Sequence, residues 1–116
     1  LLLVSQLKEY NPGWSVHKGK AVSIGKKEER PFARGQRTAV VLITKEGDSA
    51  SKKMAERLKQ AARRNREFRF AIQDKREAKK KPQRLPALVL YRDGKEIARR
   101  AGQMSQREME AWIKGE

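Results

Sequence analysis

No cysteine occurs in the 116 residues. These side chains therefore supply no disulfide, no thiolate metal ligand and no thiol nucleophile. Histidine occurs once, at His17, which excludes a histidine-rich zinc site as well. No run of apolar residues approaches the length of a membrane span. Zinc-finger spacing, an RNA-recognition aromatic motif and a helix-turn-helix pattern are also missing. Acidic residues are scarce: 14 Asp and Glu stand against 29 Lys and Arg, a formal net charge of +15. With no cysteine to count, the composition assigns no redox compartment.

Charged and hydrophobic residues each make up 37% of the chain. That balance leans toward disordered proteins, yet the apolar residues cluster in periodic runs, which implies a folded domain with a highly charged skin. A chain of this length builds one core rather than two. It opens on Leu1-Leu2-Leu3-Val4 without a methionine, as a trimmed or processed chain would; a residual signal sequence is the weaker reading, since Lys8, Glu9 and Tyr10 follow at once.

Leu3, Val4, Leu7 and Tyr10 fall at helical spacing and predict a short helix over residues 1–10, stopped by Asn11-Pro12-Gly13. Trp14–His17 and Lys20–Ile24 alternate on either side of Lys18-Gly19 and predict a strand pair. Gly25–Arg37, with two glycines and a proline, reads as a loop. Thr38–Thr44 reads as a buried strand, and Asp48, Ser49 and Ser51 are N-cap candidates for a helix whose apolar stripe is Met54, Leu58 and Ala61. Phe68–Ile72 alternates as a third strand. Lys75–Arg84 is a basic connector of at most one or two helical turns, interrupted at Pro82.

The clearest stretch follows. Pro86 precedes the apolar run Ala87–Tyr91, and proline is tolerated at the start of a strand because its missing N–H is not needed there. Asp93-Gly94 supplies the positive φ angles of a tight hairpin, and Lys95–Ala101 returns as a more polar strand. Gly102 breaks it. Ser105-Gln106-Arg107-Glu108 is a capping box, and Met109, Trp112 and Ile113 give the last helix one apolar face, with Trp112 expected in the core.

Proline, buried strand, Asp-Gly hairpin, second strand, glycine and capped helix, from Pro86 through Ile113, resemble the C-terminal half of the thioredoxin fold. The resemblance implies an α/β class: a thioredoxin-like central mixed sheet flanked by helices, in a single domain. Residues 38–116 would form the core, and residues 1–37 an extension made of the N-terminal helix and a hairpin or loop. It also implies a cis bond before Pro86, beside the position where the family carries Cys-x-x-Cys. Sliding that motif onto this chain places it on Asp48, Ser49, Ala50 and Ser51. Aspartate and serine exchange no disulfides, so the family's redox activity is not carried over. No histidine or second carboxylate lies near enough in sequence to make an acid–base pair with Asp48; Glu46 is the nearest acid. The family's connector before the proline is longer and helical, which sets this chain apart.

The basic residues are unevenly spread. Lys52, Lys53, Arg57, Lys59, Arg63, Arg64 and Arg66 face a single acid, Glu56, across the first long helix. Lys75, Arg76, Lys79, Lys80, Lys81 and Arg84 face Glu77 in the connector. Such tracts exceed what local i,i+4 pairs can balance, so their field reaches into solvent. Lys52, Lys53, Arg57, Arg63, Arg64, Arg66, Lys79, Lys80, Lys81 and Arg84 are the candidate polyanion contacts. Two functions fit. One is a redox-inactive, non-catalytic binding or scaffold module that engages an acidic protein partner inside a larger assembly. The other is a sequence-nonspecific nucleic-acid-binding accessory protein. Neither requires a cofactor or a metal.

Overall fold

The computed structural model describes residues 19–35 and 37–115. The helix expected over residues 1–10, the Trp14–His17 strand and the His17 side chain lie outside the described residues.

Five strands form one mixed sheet: β1 (Ala21–Ser23), β2 (Ala39–Thr44), β3 (Arg69–Asp74), β4 (Ala87–Arg92) and β5 (Lys95–Ala101). The spatial order is β1-β3-β2-β4-β5. β3 runs parallel to both β1 and β2, while β4 is antiparallel to β2 and to β5. The Thr38–Thr44 and Leu88–Tyr91 runs are thus neighbours, with Leu42 opposite Leu88 and Ile43 opposite Ala87. The described helices are α1 (Glu29–Ala33), α2 (Ser49–Arg64) and α3 (Gln106–Lys114). Strand, helix, strand, connector, strand, strand, helix is the order expected from residue 38 onward.

Alternation along the strands splits the core into two layers. Val40, Leu42, Phe70, Leu88 and Leu90 point to one face, where Met54, Leu58, Ala61 and Ala62 of α2 and Met109 and Ile113 of α3 cover them. Trp112 packs half-buried against the same layer. Each fully buried leucine there contributes about 1.5–3 kcal/mol. Ala39, Val41, Ile43, Ala71 and Val89 point to the other face and meet Ile24, Phe32 and Ala78. Strands buried on both faces read as continuous apolar runs, which is why β2 and β4 stand out in the sequence.

One expectation is corrected. Gly25–Arg37 is not a plain loop: a 3₁₀ turn over Lys26–Glu28 leads into α1. Pro31 misleads because it lies in the first turn of α1, where a helix N–H has no partner to lose. Phe32 and Ala33, both buried, anchor this short helix to the sheet. Within the expected Lys20–Ile24 strand, Ala21–Ser23 does form a strand, and it enters the sheet at the edge, parallel to β3, a pairing that alternation alone does not disclose. The connector holds a single 3₁₀ turn, Lys75–Glu77, and runs without further helix to β4.

The hairpin is as read: Asp93 and Gly94 have φ of 55° and 80°. Its turn is tied to the end of α1, since the Asp93 N–H donates to the Gly35 carbonyl at 2.7 Å and the Gly94 N–H to Ala33 at 2.9 Å. The capping box at Ser105 is complete, with Glu108 N–H to Ser105 Oγ at 3.1 Å and Ser105 N–H to Glu108 Oε1 at 3.3 Å.

A polar group interrupts the second layer. Gln73, 1% exposed, donates through Nε2 to Glu29 Oε2 at 3.0 Å. Half-buried Tyr91 belongs to the same layer. Burial pushes its phenol up to about 12, the charges of Glu29 and Glu96 add to that, and Arg99 opposes it. A raised pKa favours the neutral phenol in the folded state. Its stabilising contribution is therefore intact below about pH 10, the ordinary tyrosine value, and is lost as pH rises through about 12. A 295 nm titration should resolve a tyrosine ionising near 12 that disappears in Tyr91→Phe. Ionisation of both tyrosines near pH 10 would contradict this packing.

Candidate functional site

β2 and β3 end, and β4 begins, at the same edge of the sheet, because Thr44 is opposite Asp74 and Ile43 opposite Ala87. The loop out of β2 and the Leu85–Pro86 bond therefore meet at one end. That bond is cis, as the resemblance implies. Pro86 is buried, and its carbonyl accepts from the Gly102 N–H at 2.7 Å.

Asp48 is the N-cap of α2. Its Oδ2 accepts from the Ser51 N–H at 3.0 Å and from the Ser51 hydroxyl at 2.8 Å. Ser51 Oγ in turn accepts from the Lys45 N–H at 3.0 Å. Ser51 is 3% exposed, so its hydroxyl is a link in this turn rather than a group offered to solvent. A helix start carries orphan amides and partial positive charge, and here the protein's own carboxylate answers both. Removing such a cap costs about 0.5–2 kcal/mol, which accounts for both residues without invoking chemistry. Ser49 is exposed and Ala50 half-buried, and both ride on the first turn of α2. Glu46 pairs with Arg76 at 3.2 Å. Arg76 also holds Asp74 at 2.9 Å, and this hydrogen bond draws the Asp74 carboxyl below the usual range. Among the described residues no three metal-ligating side chains come together. No helix among them is long and apolar enough to cross a membrane.

The candidate polyanion contacts do not share one face. α2 covers the first core layer, whereas the connector contributes Ala78 to the second, so the sheet stands between the two tracts. Within each tract the side chains sort further. Arg57 donates to the Met104 carbonyl, Arg64 pairs with Glu110 at 2.9 Å, Lys80 lies 3.9 Å from Glu96, and Lys81 donates to the Lys75 carbonyl at 3.1 Å. Lys52, Lys53, Arg63, Arg66, Lys79 and Arg84 are exposed and make no ion pair among the described residues.

Two residues left off the candidate set stand with them. Lys20 and Lys59 line one concavity together with Arg63 and Arg66. Lys59 was legible, since Lys59 and Arg63 are four apart and so share a helix face. Lys20 carried no such signal, because only the β1–β3 pairing brings it there.

Compared with solved structures, the chain is similar to spinach chloroplast thioredoxin f in its long form, at 17% identity and TM-score 0.77, covering 88% of this chain and 90% of that one. A point mutant of the thioredoxin from Halobacterium salinarum NRC-1 matches at 13% identity and TM-score 0.74, over 84% and 91%. Malassezia sympodialis thioredoxin matches at 14% identity and TM-score 0.72, over 84% and 90%. No protein-family model and no curated protein matches the sequence. The chain has the thioredoxin fold and holds no cysteine with which to run thiol–disulfide exchange.

Proposed function

We propose that this chain is a non-catalytic binding module on a thioredoxin fold, which engages an acidic protein partner through its basic side chains. The observation that carries this reading is the set of exposed cations that make no ion pair among the described residues, Lys52, Lys53, Arg63, Arg66, Lys79 and Arg84, in a chain of net charge +15. Unpaired cations held on a rigid scaffold attract an anionic partner at little cost in ordering. The cap made by Asp48 and Ser51 supports the non-catalytic half of the reading, because it occupies the helix start with the chain's own groups. Engaging other proteins is in keeping with the fold: thioredoxin f2, similar at TM-score 0.75 and 17% identity, is found in a complex with ferredoxin:thioredoxin reductase.

A protein is favoured over nucleic acid because no aromatic side chain is fully exposed among the described residues. Among these residues bases find no fully exposed ring to stack on, and phosphate contact is what they offer. The test is fluorescence anisotropy of a fluorescein-labelled decaglutamate peptide against a decaserine control, across a salt series. Decaglutamate should bind at low salt and release as salt rises, while decaserine should not bind. No binding of decaglutamate at low salt would end the reading. A single-stranded ten-nucleotide DNA bound more tightly than decaglutamate would transfer it to nucleic acid.

A further inference from the structure

We infer that the cleft between β1 and the C-terminal half of α2 is where the acidic partner inserts a short run of Asp or Glu side chains, an inference that rests on the reading just given. The cleft measures about 520 Å³ and is lined by Gly19, Lys20, Ala21, Lys59, Arg63 and Arg66. Four of these six are cations, and none is an acid. Lys20, Arg63 and Arg66 make no ion pair among the described residues, and Lys59 shares its charge only with exposed Glu56, at 3.5 Å. An exposed pair of that kind is worth little and exchanges readily for a better anion.

The contrast with the neighbouring cleft decides the choice. That cleft, about 450 Å³ between α2 and α3, is lined by Arg64, Gln106, Arg107, Glu110, Ala111 and Lys114. Glu110 already accepts from Arg64 and Gln106 at 2.9 Å each and from Asn65 at 3.2 Å, so the chain supplies the anion itself. At the β1 cleft no described residue supplies one.

The local backbone is shaped for the purpose. Gly19 sits at φ +80°, and a Cβ there would stand 3.4 Å from Arg66 Nε. The positive φ suits glycine, and Arg66 packs on this turn with its side chain lining the cleft. Two guanidinium forks match carboxylates in bidentate geometry, and two ammonium groups add donors without a fixed direction. No aromatic ring among the described residues lines the cleft, so a nucleobase finds no stacking partner among them. Its volume accommodates a few side chains rather than a duplex.

The test compares two variants that lose the same total charge in different places. K20E/R63E/R66E reverses three cleft cations, and K79E/K80E/R84E reverses three connector cations. Each is titrated with fluorescein-labelled decaglutamate at low salt, with circular dichroism melting to report folding. All six side chains are exposed; should the cleft variant melt early, K20Q/R63Q/R66Q replaces it with the same expected direction. The cleft variant should lose at least about tenfold more affinity than the connector variant, three exposed pairs each being worth a few-fold. Equal losses overturn the cleft as the site and leave a general binding role standing. No decaglutamate binding by the unaltered protein overturns both. Tighter binding of a ten-nucleotide single strand, lost in the cleft variant, overturns the acidic-peptide occupant.

Discussion

Phe32→Ala is expected to destabilise the protein by about 3–5 kcal/mol, the usual cost of emptying a buried aromatic site. Phe32 is 1% exposed and packs in the second core layer with Val41, Ile43, Ala71 and Val89. Small domains keep only about 5–15 kcal/mol in hand, so the variant should unfold at markedly lower urea. Removing residues 1–37 should do more harm, because Ile24, Phe32, Ala33 and the whole of β1 go together. The Gly35 and Ala33 carbonyls that receive the hairpin amides would also be gone. These experiments put the division at residue 38 to the test. A urea midpoint for Phe32→Ala close to that of the unaltered protein would mean that the α1 segment is not part of the packed core.

The second large effect is a gain. In Asp48→Cys/Ser51→Cys the two sulfurs should form a disulfide on air oxidation and reopen with a dithiol. The two side chains already meet, Asp48 Oδ2 accepting from the Ser51 hydroxyl at 2.8 Å; a cysteine at 48 is one atom shorter than aspartate, and closure brings the sulfurs to about 2.05 Å. The first position is the N-cap of α2, where amides and helix dipole lower a thiol pKa into the range of about 3.5–7.5. Thiol titration should count no free sulfhydryl in the oxidised form and two after reduction. An insulin-reduction assay should be blank for the unaltered chain and measurable for the variant. Turnover by the unaltered chain would overturn the motif placement. Two thiols that stay free under oxidation would show that the pair is not poised as the cap geometry implies.

Much of the fold was legible because its signals are local. β4, the Asp93-Gly94 turn, β5, the break at Gly102 and the cap at Ser105 each depend on residues within a few positions of one another. So does the cap of α2. What escaped depends on distant partners. α1 is five residues long, too short to persist without the sheet beneath Phe32, and nothing in Glu29–Ala33 alone announces it. The β1 strand itself was read from Lys20–Ile24, but its place beside β3 was not, because that pairing is set by a partner far along the chain. The candidate contacts were legible one by one as basic residues, but their grouping was not, because distance along the chain does not reveal which side of a sheet a tract covers.

By itself, then, the order of residues determined the elements from Thr38 onward, the proline-led strand, the lack of thiol chemistry and the excess of positive charge. Periodicity, turn chemistry and side-chain type are properties of neighbours in sequence, and they need no third dimension. Only the tertiary structure decided that Ile24 and Phe32 close the second core layer, and that the two basic tracts lie on opposite sides of the sheet. It alone set Lys20 beside Lys59, Arg63 and Arg66. Strand pairing joins residues far apart in the chain, and charges become a site only where that pairing makes them share one cleft.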